Sequence, residues 1–341
     1  QALLLWWGCM RLGVRIGFRV PRLTPDVKRI LILMGPAVFA GSATQINVFV
    51  SQALASFEEG AKSWLYAADR LYQLPLGLIG VAIGVALLPR LSRAVADGDG
   101  ADETRAIDEA VNLSMAFTLP AAAAFLIAPF FLMHGFWTGG QFTDADARAT
   151  ADALFHYGWG VPAFVLVRIL APPFFARQDT RRPMRFALAS VVANVVLGAT
   201  FFFALRAGGH SGYVGLAIAT SAASWVNVIL LAGALLREKT WRPTAEAQSR
   251  LVRIVLATVV MGGVVAVAAS MRETIIAPFT SVLPVGGKEL AVLLVSAGSF
   301  MIFVVTAFIL RAVTLSEIRA AFRRPPASAN GGGALPPGLD G

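Results

Sequence analysis

The chain has 341 residues, of which 57% are hydrophobic and 14% are charged. Soluble domains carry about 45–50% apolar residues, even with glycine counted, and about 25% charged residues. A chain of this size cannot hide the additional apolar surface in a globular core. The composition therefore excludes an ordinary soluble enzyme, and the single cysteine, Cys9, excludes a disulfide scaffold. It predicts an all-α polytopic membrane protein.

Eight apolar stretches are long enough to cross about 30 Å of hydrocarbon as helices. They lie at 30–57, 64–88, 108–133, 150–175, 184–206, 213–236, 250–271 and 288–311. Before them, Gln1–Val20 begins apolar and only then places Arg11, Arg15 and Arg19 at four-residue spacing, which is the reverse of a signal peptide. We expect residues 1–29 to be the end of a truncated helix followed by a cytoplasmic loop.

The basic residues of the connecting segments are divided unevenly between the two sides of these spans. One side carries 22 lysines and arginines, and the other carries six. Because cytoplasmic loops are enriched in these residues, the loops 89–107, 176–183 and 237–249 are predicted to be cytoplasmic. The tail 312–341 is predicted to be cytoplasmic too, and disordered, since it is rich in proline and glycine. The net charge of +9 then reflects topology, so no nucleic-acid partner is expected. The six basic residues of the opposite side are Lys62, Arg70, Arg148, Arg206, Arg272 and Lys288.

Polar side chains at membrane depth are the candidate functional residues. Ser42 and Gln45 lie in the first complete span, where they either line a cavity or join helices through hydrogen bonds. Arg70 lies about 10 Å into the second span if that helix begins near Ser63. A lipid-facing guanidinium at that depth costs about 3 kcal/mol, so Arg70 either faces a water-filled interior, where it can grip an anion, or snorkels to the interface while Asp69 caps the helix.

Two further features of the spans bear on function. Arg168 is equally compatible with a cavity charge and with a residue that snorkels to lipid headgroups. The double proline Pro172-Pro173 that follows is predicted to break the helix. The histidines lack metal-ligand spacing and no catalytic motif is present, so an enzyme and a metal site are not expected. A transporter or a multi-helix scaffold remains.

Four stretches of the sequence resemble one family of membrane proteins. They are Ala55–Phe57, Ser63–Ser92, Gly140–Thr143 and Leu170–Pro183. In this order and at these spacings they are similar to the MurJ (MviN) family of lipid II flippases, within the MOP exporter superfamily. The resemblance extends from Arg11 to Arg324 and is strongest over 36–185.

The resemblance implies a MOP-type fold of fourteen helices, with two six-helix lobes and two extra C-terminal helices. In this chain it implies a six-helix C-lobe over 30–236 and two extra helices over 250–311 that form a groove for a lipid tail. The first lobe is missing from the sequence. The family's ADRL segment falls on Ala68–Leu71, so the resemblance assigns the functional arginine to Arg70 and its acidic neighbour to Asp69.

The implied function is the flipping of lipid II, the undecaprenyl-pyrophosphate-linked peptidoglycan precursor, from the inner to the outer leaflet of the bacterial cytoplasmic membrane by alternating access. Substrate binding is expected of Arg70, Asp69, Ser42 and Gln45. The expected partners are lipid II, membrane lipids and the missing N-terminal lobe, without which the chain is expected to insert but not to flip lipid II. No cofactor is expected, although the resemblance implies coupling to the membrane potential or, in some members, to Na⁺. The alternatives are a flippase for another polyprenyl-linked saccharide, a drug exporter of the same superfamily, and a non-transporting scaffold.

Overall fold

A computed structural model describes residues 48–283 and 286–312, together with Arg11 and Gln45; the side chains of 78–86 are not described. The chain divides into two compact units, Gln1–Ile46 and Asn47–Gly341, and the helices below belong to the second unit. Residues 48–55 are helical and precede the first helix with complete bounds. The described ranges contain an isolated backbone bridge between Gly139 and Phe142 but no strand.

The described ranges contain eleven helices with complete bounds. They are α1 (Ala61–Asp97), α2 (Gly100–Ile127), α3 (Pro129–Trp137), α4 (Asp144–Gly158), α5 (Val161–Leu170), α6 (Pro172–Ala176), α7 (Arg181–Ala207), α8 (Tyr213–Arg237), α9 (Ala245–Ser270), α10 (Arg272–Val282) and α11 (Gly287–Ile309).

Six helical segments in the described residues are long and apolar enough to cross a membrane. They are Gly100–Ile127, Asp144–Ala176, Arg181–Ala207, Tyr213–Arg237, Ala245–Ser270 and Gly287–Ile309. These six correspond to the predicted spans from 108–133 onward, which confirms the all-helical membrane class. The predicted span 64–88 lies within α1, whose 37 residues are about 55 Å long. Most of the predicted span 30–57 and the whole tail 313–341 lie outside the described residues.

Two predicted spans need correction. The span 108–133 is not one helix, because α2 ends at Ile127 and α3 then starts at Pro129, a residue suited to a helix start. The span 150–175 breaks at Ala171 before the double proline, as predicted, but also at Trp159 and Gly160, which was not predicted. The connection between the predicted spans 250–271 and 288–311 contains a further helix, α10.

The elements α1, α2, α4, α5 and α8 form the centre of the described unit. α7 packs mainly on α8, while α9 and α11 pack on each other and reach the centre through α2 and α3. The outward faces of these peripheral helices carry exposed aliphatic side chains, as expected of lipid-facing surfaces. Examples are Leu188, Val192 and Val196 on α7, Val252, Leu256 and Val259 on α9, and Leu294, Met301 and Val305 on α11.

The three loops predicted to be cytoplasmic meet at one end of the helices, here called the basic end (residues 90–109, 177–182 and 238–244). Arg177 pairs with the buried Glu103 at 2.8 Å and also donates to Thr240. Asp108 accepts hydrogen bonds from the indole of Trp241 at 2.8 Å and from the backbone and hydroxyl of Thr244 at 3.0 and 2.8 Å. These contacts join α2 to the segments that follow α6 and α8. The three loops therefore lie on the same side, as predicted.

Candidate functional site

Asp69 and Arg70 lie in the third turn of α1, about 14 Å from its first residue at a rise of 1.5 Å per residue. The Arg70 side chain is exposed and stacks over the ring of Tyr66, with Cζ 4.5 Å from the ring centroid. Among the described residues it makes no ion pair. Since a charge at this depth is costly against lipid, the exposed guanidinium needs water or an anion.

Asp69 is half-buried and is held by its own helix. The amide of Gln73 donates a hydrogen bond to its carboxylate, and the Tyr72 hydroxyl lies within hydrogen-bonding reach of it. Asp69 therefore does not neutralise Arg70, although the two are adjacent in sequence. The two members of the predicted pair therefore face different neighbours, and their assignment to substrate binding stays a prediction.

Arg168, whose role the sequence leaves open, is exposed on α5, the helix that also carries Phe164. The Tyr72 ring packs against Tyr157 at 4.9 Å and against Phe164 at 5.0 Å between centroids, which fixes α1 against α4 and α5. Within the described part of the chain Arg168 has no ion pair. Two unpaired arginines, Arg70 and Arg168, are thus presented by neighbouring helices.

The structure does not test the other two predicted site residues. Gln45 is helical and exposed, and it belongs to the unit Gln1–Ile46 rather than to the unit that carries Arg70. Ser42 lies outside the described residues. Their assignment to substrate binding stays a prediction.

A cavity of about 420 Å³ opens beside Tyr66, toward the start of α1. Its lining combines a cation, an amide and a hydroxyl with three aromatic rings: Gln52, Lys62, Ser63, Tyr66, Ala67, Trp137 and Phe142. In the sequence Lys62 was only one of six basic residues on its side. The signal that could have singled it out is the four-residue spacing of Lys62, Tyr66 and Arg70, which places them on one helix face.

A second cavity, of about 430 Å³, is almost entirely apolar. It lies between α1, α2, α3, α9 and α11, and its walls include Leu71, Phe117, Phe131, Met261, Val295 and Phe300. Leu71 follows Arg70 directly, so α1 presents the cation on one face and lines this cavity with another. The predicted extra helices 250–271 and 288–311 are the ones that contribute its far wall.

Long apolar helices, two exposed arginines that have no ion pair among the described residues, and a separate apolar cavity together define a polytopic helical membrane protein. The family model described as "Lipid II flippase MurJ" matches residues 1–286. A "Probable lipid II flippase MurJ" of Rhizobium meliloti (strain 1021) is 38% identical over 324 residues, covering 95% of this chain and 59% of the relative. A protein of the same name from Rhizobium tropici is 32% identical over 324 residues, with the same coverage of both chains.

Among solved structures, "Lipid II flippase MurJ, inward closed conformation" matches with a TM-score of 0.67 at 20% identity, covering 93% of this chain and 60% of that one. This likeness shows the fold. The chain belongs to the MurJ family. It spans about three fifths of the length of the curated relatives that head the comparison.

Proposed function

We propose that this chain takes part in flipping lipid II across the bacterial cytoplasmic membrane, from the inner to the outer leaflet, by alternating access. The observation that carries the proposal is the exposed, unpaired Arg70 on α1 beside an apolar cavity. In a lipid with a pyrophosphate headgroup and a long hydrocarbon chain, the pyrophosphate suits the arginine and the hydrocarbon chain suits the apolar cavity. Family membership supports the same substrate.

The headgroup of such a lipid cannot cross hydrocarbon unaided, because each polar group would lose its hydrogen bonds to water. Arg70 offers a planar fork of donors that matches phosphate oxygens in pairs. Arg168 adds a second exposed cation, on the neighbouring helix α5, and it too has no ion pair among the described residues. We assign Arg70 to direct contact with the pyrophosphate, and Asp69, Ser42 and Gln45 to the polar surface around it.

The apolar cavity is the proposed place for the lipid tail. Residues from α9 and α11 close one side of it, and exposed aliphatic side chains continue outward along both helices. A hydrocarbon chain loses no hydrogen bond on entering such a site, so the tail can stay in an apolar environment while the headgroup moves. The pair of helices over 250–311 then acts as the tail groove beside the lobe 30–236.

The orientation is part of the proposal. We place the basic end in the cytoplasm, with the C-terminal tail on the same side, because cytoplasmic loops collect lysine and arginine. Lipid II would enter at that end and leave at the opposite end, where α1 begins. Movement between the two is proposed to draw on the membrane potential or on Na⁺.

The test is a chimera in which this chain replaces the matching part of the Rhizobium meliloti relative, expressed in a strain depleted of its own lipid II flippase. We expect the chimera to restore growth and its Arg70→Ala variant to lose it. Arg70→Lys should restore growth only in part, since lysine keeps the charge but lacks the fork. The matched control is Arg206→Ala, because Arg206 stacks on Phe202 away from both cavities. Full growth of Arg70→Ala, with inserted protein confirmed by blotting, would contradict the assigned role.

A further inference from the structure

The cavity beside Tyr66 has polar and aromatic walls that the structure holds in place. Trp64, one residue beyond Ser63, donates its indole N–H to Asp146 at 2.8 Å and packs on Tyr213 at 5.1 Å between ring centroids. Phe142 is fixed by paired backbone hydrogen bonds with Gly139, at 3.1 and 3.2 Å. These contacts fix the start of α1 and the backbone of Phe142, two of the segments that border the cavity of about 420 Å³. Its volume lies within the range typical of small-molecule sites.

Lys62 carries the charge of this cavity, and the nearby carboxylates are either engaged elsewhere or too far away. Glu58 accepts from the backbone N–H groups of Gly212 and Tyr213 at 2.7 and 3.1 Å. Asp146 accepts from Trp64 and Thr143. Glu59 is exposed, and among the described residues no carboxylate lies within 4.0 Å of the Lys62 ammonium. The ammonium is therefore free to meet an anion inside the cavity.

We propose that Lys62 and the cavity it lines form a second binding subsite, which takes the phosphate-linked sugar part of the headgroup after it leaves Arg70. The inference rests on the proposed function. Lys62 lies two helical turns from Arg70, about 12 Å along α1 toward the opposite end, and Tyr66 stands between the two cations. A lysine holds phosphate as a point charge, without the paired hydrogen bonds of arginine. The second position therefore binds more weakly, which suits a site of release.

The other lining residues define the chemical class of the ligand. Gln52 and Ser63 supply hydrogen-bonding groups for hydroxyls, whereas Tyr66, Trp137 and Phe142 supply flat apolar faces against which a sugar ring can pack. A bare hydrocarbon chain would leave the ammonium and the amide without partners. A lipid phosphate without a sugar would leave the aromatic faces uncovered. The cavity thus fits an anionic glycolipid headgroup better than either.

The test uses the whole 341-residue chain in lipid vesicles, with Cys9→Ala as background and Ser63→Cys as the reporter thiol. A membrane-impermeant maleimide reports how fast the thiol reacts, with and without added lipid II. We expect lipid II to slow labelling of Ser63→Cys and to leave Glu59→Cys, one turn earlier on the exposed surface, unchanged. Lys62→Gln should weaken the protection about tenfold in lipid II concentration, and Lys62→Arg should retain it. The matched control is Lys288→Gln, since Lys288 lies at the same end but outside this cavity.

Two comparison lipids, tested in place of lipid II, identify which part of the headgroup the cavity binds. Undecaprenyl pyrophosphate and phosphatidylglycerol share the phosphate with lipid II but lack its sugars, and both should protect at least tenfold less well. Equal protection by either lipid would overturn the sugar assignment, and protection unaffected by Lys62→Gln would overturn the subsite. Absence of protection by lipid II at any concentration would overturn it as well. The growth test of the chimera depends on Arg70, whereas the labelling test depends on Lys62. The subsite can therefore be overturned without overturning the proposed function.

Discussion

The arginines at the two ends of the helices have different kinds of partner. At the basic end Arg90 pairs with Asp102 at 2.9 Å and with Glu109 at 2.5 Å, and Arg177 pairs with Glu103. At the opposite end and along its approach, four arginines stack on aromatic rings instead. Arg70 lies over Tyr66, Arg148 and Arg272 over Phe130, and Arg206 over Phe202, and in the described residues only Arg272 has an ion pair, with its neighbour Glu273.

The difference separates charges that hold the fold from charges that are available to a ligand. A buried ion pair whose partner is removed leaves an uncompensated charge, so the pair of Arg177 with the buried Glu103 is coupled to folding. The pairs of Arg90 are partly exposed and contribute less. A guanidinium that stacks on an aromatic ring keeps the N–H donors at its own edge free. It can therefore bind an anion without breaking another contact. The comparison predicts large stability losses at the basic end and small ones at Arg70 and Arg168.

The largest expected effect on stability is at the pair of Arg177 and Glu103. Glu103 is 3% exposed as a side chain, and Arg177→Ala would leave its carboxylate buried without a counter-charge. We expect the free energy of unfolding to fall by about 3–5 kcal/mol, measured by SDS titration of the purified chain. The double variant Arg177→Ala, Glu103→Gln should recover part of the loss because it removes the stranded charge. A double variant as unstable as the single one would show that the pair is not coupled.

A smaller loss is expected from Asp108→Asn. An asparagine is nearly the same size, but it has one acceptor oxygen for three donors, the Trp241 indole and the backbone and hydroxyl of Thr244. The NH2 group of the asparagine would also face these donors, so it would have no acceptor for its own hydrogen bonds. We expect a loss of about 1–3 kcal/mol, seen in the same titration, with a change in Trp fluorescence that reports release of Trp241. Asp97→Asn, in the last residue of α1 outside this network, is the control and should change stability by less than about 0.5 kcal/mol.

Close backbone packing, rather than ion pairs, holds the opposite end, and Gly215→Ala tests this. A Cβ at Gly215 would lie 2.7 Å from the carbonyl carbon of Phe201 on α7. Because the backbone of α7 cannot move away without disturbing the packing of the two helices, we expect the free energy of unfolding to fall by about 1–3 kcal/mol. Gly233→Ala on the same helix meets nothing within 4 Å and should be neutral or stabilising by up to about 1 kcal/mol. Equal effects of the two substitutions on the thermal midpoint would contradict the packing argument.

The apolar character and the length of the stretches were enough to predict the long helices, because each span must satisfy its own backbone hydrogen bonds in lipid. They were not enough for the breaks at Ala128 and at Trp159–Gly160, since a helix that packs on several neighbours can reorient where the sequence shows no strong stop. The cost of a charge at membrane depth was enough to make Arg70 a candidate, and its role stays a prediction. The spacing of Lys62, Tyr66 and Arg70 places Lys62 on the same helix face, but the sequence does not show that Trp137 and Phe142 line a cavity with it, because only the fold brings them together.

The smallest expected stability effect, and the sharpest test of the comparison, is at Arg168. If this arginine serves a ligand rather than the fold, Arg168→Gln should change the free energy of unfolding by less than about 0.5 kcal/mol. The substitution keeps most of the side-chain length, so packing of Tyr72 against Phe164 should survive. In the chimera, however, Arg168→Gln should slow growth rescue, because one of the two unpaired arginines is lost. Arg90→Gln gives the reverse pattern: it breaks the contacts with Asp102 and Glu109, lowers stability more, and touches neither cavity. A loss of stability at Arg168 as large as that at Arg90 would show that the unpaired cations, too, are part of the scaffold.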